Sequence, residues 1–155
     1  MKRCFRICCM LIISALKLQA QPVTFSHFTV DNGLSQSVAN DVYQDSERFI
    51  WVGTQDGISR FDGYGFTKFI HVPIDTNSLS NNWIFSIAED HDKCLWFGTR
   101  GGLNKYDKKT GLFTRFKFDA KNNNTIANDV VYGVAVDKDG NIWANTPPFL
   151  NKVET

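Results

Sequence analysis

Cysteine is scarce where it would matter. Four occur, and Cys4, Cys8 and Cys9 all fall within the first nine residues. Cys94 then stands alone, which excludes an intrachain disulfide in the rest of the chain and leaves stability to packing. Neither sign of charge dominates, with 17 Lys and Arg against 16 Asp and Glu. Lys2, Arg3, Arg6 and Lys17 all precede residue 21, so residues 21–155 carry 13 basic and 16 acidic side chains, a net charge of −3 with His neutral. No basic footprint for nucleic acid remains. Long apolar runs are missing too. The longest, Ile7 to Leu16, is half the roughly 20 residues that a membrane-spanning helix needs. Helical periodicity is absent. Catalytic signatures are equally thin: His27, His71 and His91 are scattered, no GxSxG elbow or phosphate loop occurs, and no metal-ligand spacing appears. No cofactor is expected.

The short apolar run has its own meaning. A basic start, an apolar core and the small-residue exit Leu18-Gln19-Ala20 before Gln21 describe a secretory signal peptide over residues 1–20. Lys17 is slightly off-pattern. An uncleaved anchor is the alternative, and the shortness of the run weighs against it. The protein is expected to be exported, with residues 21–155 as the mature part.

What is present is repetition. WVGTQDGISRFD (51–62) returns as WFGTRGGLNKYD (96–107) and, in worn form, as WANTPPFLNKVE (143–154), at intervals of 45 and 47 residues. Such a period marks a repeat architecture. Asp45, Asp90 and Asp137 each stand six residues before their Trp, and Leu34, Leu79 and Ile126 keep the same offsets. In the second copy, Ile84–Ala88, Leu95–Thr99, Leu103–Tyr106 and Leu112–Phe118 read as four short strands between polar or glycine turns. Four strands per repeat make the blade of a β-propeller. The fold class is all-β, with about three blades over approximately 25–69, 70–116 and 117–155, an incomplete ring. The chain reaches the end of the third strand of its third repeat, and Phe25–Val30 reads as an outer strand ahead of the first. Both ends would leave open edges, so the partners expected are further blades of a longer chain or, failing that, a second copy. Trp51 and Trp96 should fill space between blades, while Gly53 and Gly98 permit close approach.

These repeats resemble the two-component regulator propeller repeat. FSHFTVDNGLSQSVANDVYQDSERFIWVGTQDGISRFDGYGF (25–66) is very similar to the first repeat of that family, and SLSNNWIFSIAED before Trp96 matches nearly as well. The resemblance implies a periplasmic receptor, typically for a glycan fragment, signalling to a histidine kinase and membrane-tethered in its full-length form. No kinase motif is present and none of the three His has a phosphoacceptor context. Three departures stand out. Arg48 and Lys93 replace the glycine seen at Gly140, Asn145 replaces the strand glycine, and Pro147-Pro148-Phe149 replaces the glycine turn.

Strand direction brings the second-to-third-strand turn of each blade to the same rim as the linker between blades. That rim gathers Asn77 to Trp83 with Arg100-Gly101, and Gln55-Asp56 from the blade before; Asn124 to Asp129 would occupy it in the next. Trp83 breaks the repeat, since Val38 and Val130 hold its position. An aromatic beside amides and an arginine suits an oligosaccharide through stacking and polyol hydrogen bonds, which makes Trp83, Asn81, Asn82, Arg100, Gln55 and Asp56 the candidate ligand-binding residues. A hydrated loop with its Trp folded inward is the competing account. Asp137-Lys138-Asp139-Gly140-Asn141 has a faint calcium-loop look but lacks the later ligands, and a tight turn is expected. Asp90 and Asp92 are expected in a solvated turn. The functional expectation is a periplasmic sensing module without catalysis; the alternative is a short secreted scaffold that self-associates.

Overall fold

The carboxylate six residues before each Trp does the same work three times. Trp51 Nε1 donates to Asp45 Oδ2 at 2.9 Å, Trp96 Nε1 to Asp90 Oδ2 at 2.7 Å, and Trp143 Nε1 to Asp137 Oδ2 at 2.9 Å. The other carboxylate oxygen accepts backbone N–H groups of the turn, from Phe49 at 3.0 Å, Cys94 at 2.8 Å and Asn141 at 2.9 Å. One Asp therefore fixes both a hairpin turn and the indole that the next strand points into the core. Each turn also needs one residue with positive φ. Arg48 (71°) and Lys93 (66°) adopt it against their preference, and Gly140 (87°) without penalty, which explains that departure. Asp90 is not the solvated acid expected: its side chain is only 8% exposed.

Around these turns the computed structural model, which describes residues 22–153, forms three antiparallel sheets. The first holds β1 (Ala39–Gln44), β2 (Ile50–Thr54), β3 (Gly57–Phe61) and β4 (Phe66–Phe69). The second holds β5 (Ile84–Glu89), β6 (Leu95–Thr99), β7 (Gly102–Asp107) and β8 (Leu112–Phe116). β9 (Gly133–Val136), β10 (Ile142–Thr146) and β11 (Phe149–Val153) make the third. Strand order follows chain order in each, so these are propeller blades with β1, β5 and β9 as neighbouring inner strands. The fold is that of a β-propeller. The expected signal peptide lies outside the described residues. Phe25–Val30 is not a strand: it pairs with no edge, and Val30–Asn32 forms a 3-10 turn capped by Thr29. Phe28 instead packs on Phe61 and Phe66, with ring centroids 5.1 and 5.7 Å away. Its aromatic contact, not a ladder, holds this segment.

Blades join through their broad faces. Trp51 is fully buried between the first two, against Phe69, Phe97 and Tyr106 at 5.4–6.0 Å, in a cluster with Ile58, Ile84 and Phe113. Trp96 does the same at the second junction with Leu103, Val131 and Ile142. A Cβ on Gly53 would meet Ile84 Cγ2 at 2.8 Å, and one on Gly98 the Val131 carbonyl at 2.7 Å. The strand glycines are thus required by the blade that follows. Asn145, at the same place in the third blade, is exposed. Leu150 is 66% exposed although its counterparts Ile58 and Leu103 are at 0%. Inner strands are stitched as well: Ile87 N donates to Asp41 Oδ2 at 2.7 Å and Val134 N to Ser86 Oγ at 3.1 Å.

The first junction has an added ionic bolt. Lys108 Nζ reaches Glu89 Oε1 at 2.6 Å and Asp45 Oδ2 at 3.3 Å, while Glu89 also accepts Ser46 N and Oγ at 2.7 and 2.9 Å. Burial acts to lower the Lys108 pKa, but the hydrogen bond to Glu89 and the attraction of Asp45 and Glu89 prevail and raise it.

Candidate functional site

The linkers are bonded to the second-to-third-strand turns, of the blade before or of their own blade. Gly57 N donates to Asn82 O at 2.8 Å, Arg100 N to Trp83 O at 3.0 Å, and Val131 N to Thr99 O at 2.9 Å. These bonds bring Gln55-Asp56, Asn81–Trp83 and Arg100 to one rim. Asn77 departs from this group. Its carbonyl accepts Phe113 N at 3.0 Å, at the outer strand.

The six candidate residues divide by role. Asn81 Oδ1 accepts Trp83 N at 2.8 Å, and Asn82 Oδ1 accepts His71 N at 2.6 Å, so both side-chain carbonyls hold the linker in shape. Gln55 and Asp56 are exposed, with Gln55 N tied to Gln36 Oε1 at 3.2 Å. Arg100 is exposed and its guanidinium lies 5.1 Å from the Trp83 ring centroid. That distance is a cation–π stack. Its side chain donates no hydrogen bond to any described residue, so its N–H groups face solvent. Trp83 is half-buried, neither folded into the core nor fully displayed.

Two further aromatics extend this pair. Phe85 lies 5.9 Å from Trp83 and 4.8 Å from Tyr132, which is 52% exposed. Phe85 owes its position to a bulge. Ile84 pairs with Thr99 and Ser86 with Gly98, leaving Phe85 unpaired and its side chain re-aimed. β1 has the same irregularity at Asn40, whose amide donates to Ile84 O at 2.8 Å. Asn40, Phe85 and Tyr132 are equivalent at the 45- and 47-residue spacing. The signal for Phe85 and Tyr132 was the one that singled out Trp83: an aromatic where the first repeat carries a different residue. The result is a row, Arg100–Trp83–Phe85–Tyr132, crossing the seam between the second and third blades. Chemically it offers apolar faces for stacking and one free cation at its end.

The third turn keeps the register despite its prolines. Thr146 pairs with Phe149 as Thr54 does with Gly57 and Thr99 with Gly102, and the Pro147–Pro148 peptide is cis. Asp137 is committed to Trp143, Asn141 and the turn backbone, the tight turn expected. Among the described residues no group of three or more His, Cys, Asp or Glu is placed to hold a metal ion. No helix among them is long and apolar enough to cross a membrane.

Comparison with known proteins gives this rim a context. The two-component regulator propeller family matches residues 33–56, 78–101 and 125–147, each running from a linker through the Asp–Trp turn to the rim turn. Histidine kinase P4 of Formosa agariphila is 42% identical over 66 residues, which is 43% of this chain and 5% of that protein. The extracellular domain of a hybrid two-component system of B. thetaiotaomicron superposes with a TM-score of 0.79 at 20% identity, covering 86% of this chain and 19% of that one. A second such domain from B. thetaiotaomicron gives 0.53 at 21% identity, with 88% and 24% covered. The chain therefore spans a small part of each relative's length. With one match on each of the three blades, the blades of this chain are two-component regulator propeller repeats.

Proposed function

We propose that these blades open the extracytoplasmic sensing propeller of a hybrid two-component signalling protein, and that they bind a ligand without turning it over. The observation that carries this reading is the Arg100–Trp83–Phe85–Tyr132 row. Two half-buried aromatic rings and an exposed one at a rim, ending in a free guanidinium, suit the ring faces and polar groups of an oligosaccharide. The relatives are sensor ectodomains and a histidine kinase, which supports signalling as the output. The same kinship and the signal-peptide pattern of residues 1–20 support export to the periplasm, with tethering to the membrane in a longer protein, as part of this reading.

A panel of oligosaccharides of plant, algal and animal glycans, titrated against the chain with tryptophan fluorescence as readout, tests the reading. At least one is expected to bind, with Trp83→Ala and Tyr132→Ala each weakening it about tenfold, ~1.4 kcal/mol, while leaving the melting temperature in place. Binding by none of the panel, or equal binding by both variants, would overturn it.

A further inference from the structure

Arg100 and Trp83 depart from the repeat together. Where the second blade has Arg100 in its rim turn, the first has Gln55 and the third Pro147. Where its linker has Trp83, the others have Val38 and Val130. The turn itself needs neither side chain. Thr54 Oγ1 closes the first turn by donating to Gly57 O at 2.9 Å and accepting Asp56 N at 2.9 Å. Thr99 Oγ1 closes the second in the same way, with Gly102 O at 2.8 Å and Gly101 N at 3.1 Å. Two positions that the turn leaves open thus change in one blade, and their side chains meet.

That contact holds the guanidinium in place. Arg100 N donates to Trp83 O at 3.0 Å, which ties the two backbones, and the guanidinium lies 5.1 Å from the indole centroid. The ring covers one face of the cation and leaves its N–H edge toward solvent. No carboxylate neutralises it: among the described residues every ion pair belongs to Lys105 or Lys108. Asp129, in the next linker, accepts Phe118 N at 2.8 Å, and Asp56, on the rim of the blade before, is exposed and makes no ion pair with Arg100. Arg115 shows the contrast. Its Nε and Nη2 are spent on Ser78 O, Asp75 O and Ser78 Oγ at 2.6–2.8 Å. Arg100 has kept its fork free beside a stacking surface that Phe85 and Tyr132 extend.

We propose that the ligand of this rim is an acidic oligosaccharide. A uronate residue sets its carboxylate on the edge of Arg100 through two parallel hydrogen bonds, and its sugar rings lie on Trp83 and the aromatics beyond. This rests on the oligosaccharide reading above and adds the charge of the ligand and the residue that reads it. A planar carboxylate matches the planar fork, and a fork already held by stacking loses less freedom on binding than a loose one.

The test is calorimetric titration of the full chain with tetrasaccharides of galacturonate, mannuronate and glucuronate–hexosamine type. Each is compared with its carboxyl-reduced form, in which the acid is a primary alcohol, and with sulfated neutral tetrasaccharides. At least one uronate is expected to bind, and its reduced form to bind about tenfold more weakly. Arg100→Gln should weaken the uronate by the same factor and leave the reduced form unchanged, and Arg100→Lys should lie between. Equal binding of acid and reduced forms would overturn the proposal, as would an equal loss on both forms in Arg100→Gln. Sulfated neutral sugars binding as tightly as uronates would overturn the carboxylate as the group recognised. Neutral sugars binding in a Trp83-dependent way while uronates do not would sink this inference and leave the oligosaccharide reading standing. Binding by none of them would sink both.

Discussion

Asp45, Asp90 and Asp137 each satisfy an indole and a turn at once, so their loss should cost more than a surface acid. Removing the carboxylate leaves a buried indole N–H and turn amides without acceptors, a penalty of about 1–3 kcal/mol each. Asp90→Ala is expected to lose that much stability in urea unfolding, while Asp92→Ala, in the same turn, should change it little. Trp143 Nε1, then Asn141, holds the Asp137 carboxyl well below the ordinary carboxylate range. Its pKa is lower folded than unfolded. Its contribution is therefore present above the unfolded value of about 4 and is lost as pH falls below that toward the folded value. Unfolding followed from pH 6 down to pH 2 should accordingly show a shallower decline for Asp137→Asn than for the natural chain. The left-handed positions point the other way. Arg48→Gly and Lys93→Gly remove a φ penalty and should each raise stability by up to about 1 kcal/mol, measurable as a shift in denaturation midpoint. This pattern was half legible in the sequence. The six-residue spacing from Asp to Trp is covalent and so visible. That the two side chains meet, and that Asp90 is consequently buried, depends on the hairpin closing.

At the scale of strands, the close approach of blades sets the tolerance to substitution. Gly53→Ala would press its methyl on an Ile84 side chain, which can shift. Gly98→Ala would press on the Val131 carbonyl, part of a backbone already bonded to Thr99. Both should destabilise, and Gly98→Ala more, by about 2–3 kcal/mol as for an overpacked core; chemical denaturation of the two variants side by side checks the order. Lys108→Met would strand the buried Asp45 and Glu89 and should cost about 3 kcal/mol by the same measurement, with Lys108→Arg partly restoring it. Strand identity followed the sequence closely, because a buried middle strand must be apolar and a turn must be polar or flexible. Two features did not. Phe25–Val30 has strand composition but no edge to pair with, and composition cannot supply one. The bulge that turns Phe85 toward Tyr132 is a matter of ladder register, which leaves no local mark beyond an aromatic where the first repeat has Asn40.

The whole molecule is a run of junctions, each made by the outgoing face of one blade and the inner strand of the next. Two junctions are complete. On the outgoing face of the third blade, Leu150 and Asn145 are exposed and Trp143 is half-buried among the described residues. Candidate site residues were legible in part at this scale. Counting strands places Gln55, Asp56, Asn81, Asn82, Trp83 and Arg100 on one rim, but which of them hold the backbone and which stay free is decided by hydrogen bonds. The central claim, that these blades belong to an extracytoplasmic sensor, predicts a larger native protein at the cell envelope. An immunoblot of fractionated source cells, with antibody raised against residues 21–155, measures this directly. The account predicts a band far above 17.6 kDa in the membrane fraction. A small soluble band would contradict it.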